Sequence, residues 1–196
     1  TAAIEQRGLA PLGAEMDSIA TLKDKKALST MLGANIRADV DPLNATNFET
    51  SNLFGLFVSQ ALDRPDTNVP YLLQGGLGLL ERDYYLSDKP EMATIRNQYR
   101  AYIGKLLSLA NITEPDARAQ RVFELESKIA RAHTDIVTSQ DIHKANNPWK
   151  KADFAKKAPG VDWDAFWAAA GLGGQQDFIV WHPQAVTAKA KLVARE

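Results

Sequence analysis

The stretch QGGLGLLERDYYL (residues 74–86) decides the reading of this chain. Gly75, Gly76 and Gly78 end an apolar run and open a segment dense in charge and aromatic rings. Glycine admits positive φ and close backbone approach, so this density of glycines marks a structural turn. The competing reading is an anion-cradling loop. It fails because the segment lacks a Gly-Lys-Ser/Thr ending and is not Gly-x-Gly-x-x-Gly. In the cluster Glu81, Arg82, Asp83, Tyr84 and Tyr85, an acid–base pair would need carboxylates with displaced pKa values in a cleft. The favoured reading is structural: Arg82 holds a carboxylate by two parallel bonds and pins the loop to a helical body.

Upstream of the glycines, residues 53–62 alternate Phe54, Leu56 and Val58 with Gly55, Phe57 and Ser59, and read as a strand. Residues 63–68 are turn formers, and 69–74 read as the return strand. Pro70 lacks a ladder donor, which places this strand at an edge or at its beginning there. A lone hairpin is marginal in water, so this one must pack on helices. Residues 11–38 read as helical, with Leu12, Met16, Ile19 and Ala20 on one face and Gly33 as a weak point. Residues 39–47, with Pro42 and Asn44, read as a loop.

Downstream, Asp88 and Glu91 have capping-box spacing. Met92, Ile95, Tyr99, Tyr102, Ile103, Leu106 and Leu107 follow at helical spacing, predicting a helix over about 90–110. Thr113 as cap and Pro115 in the first turn begin a second helix over about 114–137. Its stripe is Val122, Leu125, Ile129, Ala132 and Ile136. So short a connection makes the pair an antiparallel αα-hairpin. Residues 139–160 read as irregular or weakly helical. Asp162 caps a short helix carrying Trp163, Phe166 and Trp167, which Gly171, Gly173 and Gly174 stop. Residues 177–181 are extended, and 184–195 form a last helix. The fold class is therefore mainly α with a small β-hairpin, in one domain spanning 1–196.

The chain has 196 residues, 45% hydrophobic and 24% charged, with formal net charge −1 and no cysteine. Those values fit a soluble globular domain. They exclude disulfide and thiolate chemistry and give no global field toward nucleic acid. Lys150, Lys151, Lys156 and Lys157 read as a solvated face. No apolar run reaches membrane-spanning length.

A helical zinc site needs two histidines four apart with an intervening Glu. His133, His143 and His182 are not so spaced. They read as one polar or interfacial helix residue and two loop residues. Ser59, Ser87 and Ser108 lie in no nucleophile elbow. Trp163, Phe166 and Trp167 read as core or as an interdomain contact. The glycosylation-like triplets at Asn44 and Asn111 carry little meaning.

An ordered series of segments resembles the amino-terminal half of the neprilysin family of zinc endopeptidases, which includes endothelin-converting enzymes and bacterial oligopeptidases. The segments are GLAPL (8–12), LFGLFV (53–58), LGL (77–79) with RDYYL (82–86), VFELESKIA (122–130), Asp162-Trp163, AAGL (169–172) and FIV (178–180). Gly78, Arg82, Asp83, Tyr84 and Tyr85 carry its most recognisable signature. Gly75-Gly76 and Leu80 depart from it, standing where proline is usual.

The resemblance implies a helical domain covering a catalytic domain, with a cavity that admits small peptides. It implies zinc, its ligands and the general base in a catalytic half absent from this sequence. This chain would then be inactive alone, with no metal or catalytic residue of its own. Its partners would be the catalytic domain of the same polypeptide and, for the parent, small peptides. Export to a periplasmic or extracellular space is implied too. The alternative is a stand-alone helical peptide- or solute-binding scaffold.

Overall fold

In the computed structural model, residues 2–36 and 50–195 are described. The loop expected at 39–47 and the Asn44 triplet lie outside them. Chain order is α1 (Ala2–Arg7), a 3-10 turn (Ala10–Leu12), α2 (Gly13–Ala20), α3 (Lys25–Ala34), β1 (Phe54–Gln60), β2 (Asn68–Gln74), α4 (Arg82–Leu86), α5 (Pro90–Leu109) and α6 (Pro115–Ala132). There follow α7 (Ile136–Ser139), α8 (Ile142–Ala145), β3 (Pro148–Lys150), α9 (Lys151–Lys157), α10 (Trp163–Ala169), β4 (Asp177–Val180) and α11 (Pro183–Arg195). The chain is mainly α with a small β component, as its periodicities predict.

The β-hairpin forms in the expected place, with Phe54 opposite Gln74 and Gln60 opposite Asn68. It is not isolated. It is half of a four-stranded sheet of order β1-β2-β4-β3. β4 runs parallel to β2, through Tyr71 opposite Ile179, and antiparallel to β3, through Trp149 opposite Phe178. β2 is therefore interior rather than an edge. Pro70 is tolerated because pairing to β4 begins only at Tyr71, so its missing N–H costs nothing on that side. β3 came from the stretch read as irregular. Three residues are too few to show a period of two.

Both faces of the sheet are buried. Phe54, Leu72, Phe178 and Val180 point into a core shared with Trp149, Phe154, Trp163, Phe166, Trp167, Val186 and Ala190. Tyr71, Leu73 and Ile179 point the other way, with Phe57 and Trp181 beside them. The first core is aromatic: Trp167 and Phe178 have centroids 4.3 Å apart, and Phe154 lies 4.8 Å from Trp163. Trp163, Phe166 and Trp167 are thus core residues, each burial contributing about 2–3 kcal/mol. Asp162 caps α10 as expected, accepting the Ala165 N–H at 3.0 Å.

Gly33, read as a weak point, is a close approach. A Cβ there would stand 2.1 Å from the Phe166 carbonyl oxygen, where α3 crosses α10. Beside it the buried Ser29 hydroxyl accepts the Asp162 N–H at 2.9 Å.

The αα-hairpin is present, with corrections at its ends. The Asp88 capping box does not form; Lys89 is the N-cap of α5, without a side-chain cap bond. Thr113 does not cap α6. Glu114 holds the N-cap position, in left-handed backbone at φ 54° and without a side-chain cap bond. α6 stops at Ala132 because His133 turns extended at ψ 139° and the Thr134 N–H bonds the Gln74 side chain at 2.8 Å. Ile136 therefore belongs to α7. Only part of the expected stripe is covered. Ile103 and Ile129 are buried, whereas Tyr102, Leu106, Leu109, Val122 and Leu125 are exposed. Leu12, Met16 and Ile19, expected to share one face, are exposed as well.

Candidate functional site

The signature segment is held from two sides. On one side, the Tyr85 hydroxyl accepts the N–H groups of Gly78 at 3.1 Å and Leu79 at 2.9 Å. It donates its hydrogen to Glu126 Oε2 at 2.9 Å. A phenol has one donor and two acceptor positions, so this hydroxyl is fully used. Tyr99 donates to the other carboxylate oxygen of Glu126 at 3.1 Å. Gly78 is required because a Cβ would lie 1.8 Å from the Tyr99 hydroxyl oxygen.

Desolvation, and then the Glu126 charge, push Tyr99 up to about 12 and Tyr85 higher still. Burial raises Glu126 itself, against the lowering effect of its two tyrosine donors.

On the other side lies a second polar cluster. Lys189 on α11 is fully buried. Its Nζ donates to the Leu53 carbonyl at 2.5 Å and the Gly75 carbonyl at 3.2 Å, and lies 4.9 Å from the Phe54 ring centroid. Burial drives its pKa well below the ordinary lysine value. His133 Nε2 also meets the Gly75 carbonyl, at 2.9 Å. That oxygen can only accept, so Nε2 carries the hydrogen.

The His182 tautomer is fixed the same way. Its Nδ1 accepts the Gln74 backbone N–H at 3.2 Å, so the hydrogen is on Nε2, which donates to Ser139 Oγ at 2.7 Å. Burial first, then Lys189, lower His133 to about 4 and His182 to about 3.

This geometry decides what the groups can do. Ser139 and His182 have the spacing of a nucleophile and its base. The base nitrogen, however, already carries its proton, and the far nitrogen faces a backbone donor instead of an orienting carboxylate. The dyad therefore does not activate Ser139. The glycine amides are not an anion cradle either. Gly76 N–H bonds the Thr50 carbonyl at 2.9 Å, and those of Gly78 and Leu79 bond Tyr85. Gly75 is required for packing: its Cβ would meet the Asn52 carbonyl oxygen at 2.4 Å.

Of the signature residues, Gly78 and Tyr85 meet directly. Tyr84 acts through its carbonyl, which accepts Arg96 Nη1 at 3.2 Å. Asp83 is exposed, and the desolvated carboxylate of the region is Glu126, not Asp83 or Glu81. Arg82 does not make the expected pair. Among the described residues no carboxylate lies within ion-pair distance of it, and its buried Nε has no partner. The pin is Tyr85. The anchoring roles of Glu126, Tyr99, Gln74, Ser139 and Lys189 were not visible in the sequence. Their partners lie 27 to 136 positions away, beyond any local pattern.

Two of the histidine readings change: His133 sits just past the end of α6, and His143 is inside α8. His182 lies in a loop as expected, buried ahead of α11. No group of three or more His, Asp or Glu is arranged to hold a metal ion among the described residues. Both His182 ring nitrogens are engaged, and Lys189 stands beside that cluster. These groups do not fit zinc. Lys150, Lys151 and Lys157 pair with Asp177, Asp164 and Asp153 at 2.5, 3.2 and 3.2 Å, as a solvated face would.

The family model for the amino-terminal part of peptidase family M13 matches residues 1–196. Endothelin-converting enzyme 1 of Cavia porcellus is 29% identical over 123 residues, which cover 61% of this chain and 16% of that protein. Neprilysin-3 of Drosophila melanogaster is 29% identical over 122 residues, covering 61% and 15%. The cryo-EM structure of the Mycobacterium tuberculosis zinc metalloprotease Zmp1 in its open state matches with a TM-score of 0.82 at 25% identity, over 98% of this chain and 29% of that one. The chain spans less than a third of the length of each of these proteins. Matched along its whole length by the family model, the chain belongs to peptidase family M13.

Proposed function

We propose that this chain is a non-catalytic, amino-terminal part of a zinc metalloendopeptidase. It forms part of the helical domain that encloses the active-site cavity and limits substrates to small peptides. The observation that carries the reading is the match of the entire chain to the amino-terminal family model, alongside longer relatives named as peptidases. Zinc, its ligands and the general base would reside in a catalytic domain of the same polypeptide. The parent would be exported. Among the described residues, no helix is long and apolar enough to cross a membrane.

Two features of the chain support this role. Its buried polar groups hold backbone in place and leave no activated nucleophile. Tyr102, Leu106 and Leu109 on α5 and Val122 and Leu125 on α6 are exposed apolar side chains, which a partner would cover. The catalytic domain is the partner this reading assigns to them. Enclosure would exclude water and bulky substrates from the reacting centre.

The test compares the 196-residue chain with the full-length protein on fluorogenic peptides and on a folded protein substrate. The expected result is zinc-dependent, chelator-sensitive cleavage of short peptides by the full-length protein alone. Zinc-dependent turnover by the 196-residue chain would overturn the non-catalytic assignment. Equal cleavage of peptide and folded protein would overturn the size restriction.

A further inference from the structure

Residues 134–147, which contain α7 and α8, are tied to the sheet at three points. The Gln74 side chain clamps Thr134, donating to its carbonyl at 3.0 Å and accepting its N–H at 2.8 Å. At the centre, Ser139 takes the His182 Nε2 hydrogen on its hydroxyl, and its carbonyl accepts the Trp181 indole N–H at 2.8 Å. At the far end, the Asn147 carbonyl accepts the Val180 N–H at 2.9 Å. Between these ties the segment presents Ile136, Val137 and Ile142 to solvent, with Val137 77% exposed. Two four-residue helices cannot hold such a segment by themselves, because isolated helices this short are unstable in water.

We propose that residues 134–147 form an acid-releasable strap: protonation of His182 breaks the central tie and frees α7 and α8 from the sheet while the helical body stays folded. His182 Nδ1 faces the Gln74 backbone N–H. A proton on Nδ1 puts donor against donor, so the imidazolium cannot keep its place.

The surroundings offer the imidazolium no compensation. His182 is 4% exposed. It is faced by Lys189 from α11 and by His133 from the end of α6, while its contacts on β2 and α7, Gln74 and Ser139, are uncharged. No carboxylate among the described residues lies within ion-pair distance of it. Arg82 of α4 acts on His133 and on Asp135 of the strap, so it adds positive charge to the same neighbourhood. Of the strap's own charges, Lys144 pairs with Asp141 at 3.5 Å, and the exposed Asp135 accepts the Thr138 N–H at 2.9 Å.

The released imidazole titrates near the ordinary value of about 6.5. At about pH 4.5 its protonation favours the open strap by about 100-fold over the open state at neutral pH.

Hydrogen exchange on the full-length protein tests this, with rates corrected for intrinsic pH dependence. The opening constant of strap amides, such as those of Ser139 and Gln140, is followed beside that of α5 amides, which open with the whole chain. From about pH 7.5 to 4.5 the strap opening constant rises by about 100-fold in the wild type and stays above that of α5 at each pH. His182→Asn keeps an acceptor for Gln74 but does not titrate, and its strap opening constant stays constant within about threefold. Ser139→Ala removes the hydroxyl half of the central tie at every pH, so its strap opening constant is already raised at neutral pH. The proposal is overturned if the wild-type strap opening constant does not change, if His182→Asn shows the same rise, or if strap and α5 amides have the same opening constant at every pH.

Discussion

Tyr85 and Glu126, 41 positions apart, share a hydrogen bond of 2.9 Å that locks the glycine segment to α6. Through the same oxygen Tyr85 gathers two backbone N–H groups. One phenol therefore joins a loop, α4 and α6.

Tyr85→Phe removes that oxygen and keeps the ring, whose stacking on Phe123 at 5.7 Å is preserved. Two part-buried N–H groups and one carboxylate oxygen lose their partner. Each orphaned polar group costs about 1–3 kcal/mol, relaxed here by solvent at the rim. The expected loss is about 2–4 kcal/mol in denaturant unfolding, with an unchanged m-value. A loss below about 0.5 kcal/mol would show that water replaces the phenol without penalty.

Acid should destabilise the chain through its two buried imidazoles. His133 is lowered to about 4 and His182 to about 3. The unfolded chain thus binds more protons than the folded one from pH 6.5 downward, and stability falls as pH falls through that window. Each imidazole contributes a slope of up to about 1.4 kcal/mol per pH unit. Glu126 acts in the opposite sense. Its raised pKa makes the folded chain hold a proton that the unfolded one has released, so its contribution is lost as pH rises past the ordinary Glu value. The net slope between about pH 6 and 5 is then one to two protons' worth, and His133→Gln removes about half of it. Equal slopes in wild type and variant would remove His133 from this account.

Lys189 carries a different pH signature. Its folded pKa lies well below the ordinary lysine value, so the unfolded chain binds the extra proton up to about pH 10.4. Stability contributed here rises with pH across the window below that value. Lys189→Met fills a similar volume and does not titrate. Between about pH 8 and 9.5, before tyrosine ionisation intrudes, the wild type should gain up to about 1.4 kcal/mol per pH unit relative to the variant. Parallel stability curves would mean that Lys189 keeps its proton in the folded chain, held by the Leu53 and Gly75 carbonyls and the Phe54 ring.

What the sequence made legible follows from the range of the forces involved. α5 and α6 were readable because 20 and 18 residues of sustained helical period bury a stripe by repetition. The hairpin was readable from alternation and turn chemistry. β3 and β4 carry three and four residues, and β4 joins the sheet through a parallel partner 108 positions away, Tyr71 opposite Ile179. The site divides in the same way. The need for glycine at Gly75, Gly76 and Gly78 and the weight of Tyr85 were visible locally. The Glu126 and Lys189 anchors were not, because a buried lysine on an amphipathic helix looks like any solvated one until its neighbours are known. Arg82 misled for the reverse reason: a charge in a dense cluster suggests a local pair.

Two glycines with opposite roles give a last test of the packing. Gly33 and Gly13 are both helical, where glycine is intrinsically less favourable than alanine. At Gly33 an added Cβ meets the Phe166 carbonyl oxygen at 2.1 Å, and backbone on both sides must move. At Gly13 an added Cβ finds nothing within 4 Å. Gly33→Ala should therefore cost about 2–3 kcal/mol, the size of an overpacked core contact. Gly13→Ala should gain about 0.5–1 kcal/mol from helix propensity and a restricted unfolded chain. Opposite signs in urea unfolding distinguish contact from propensity. If both variants gain stability, α3 and α10 are not packed as closely as the Gly33–Phe166 approach requires.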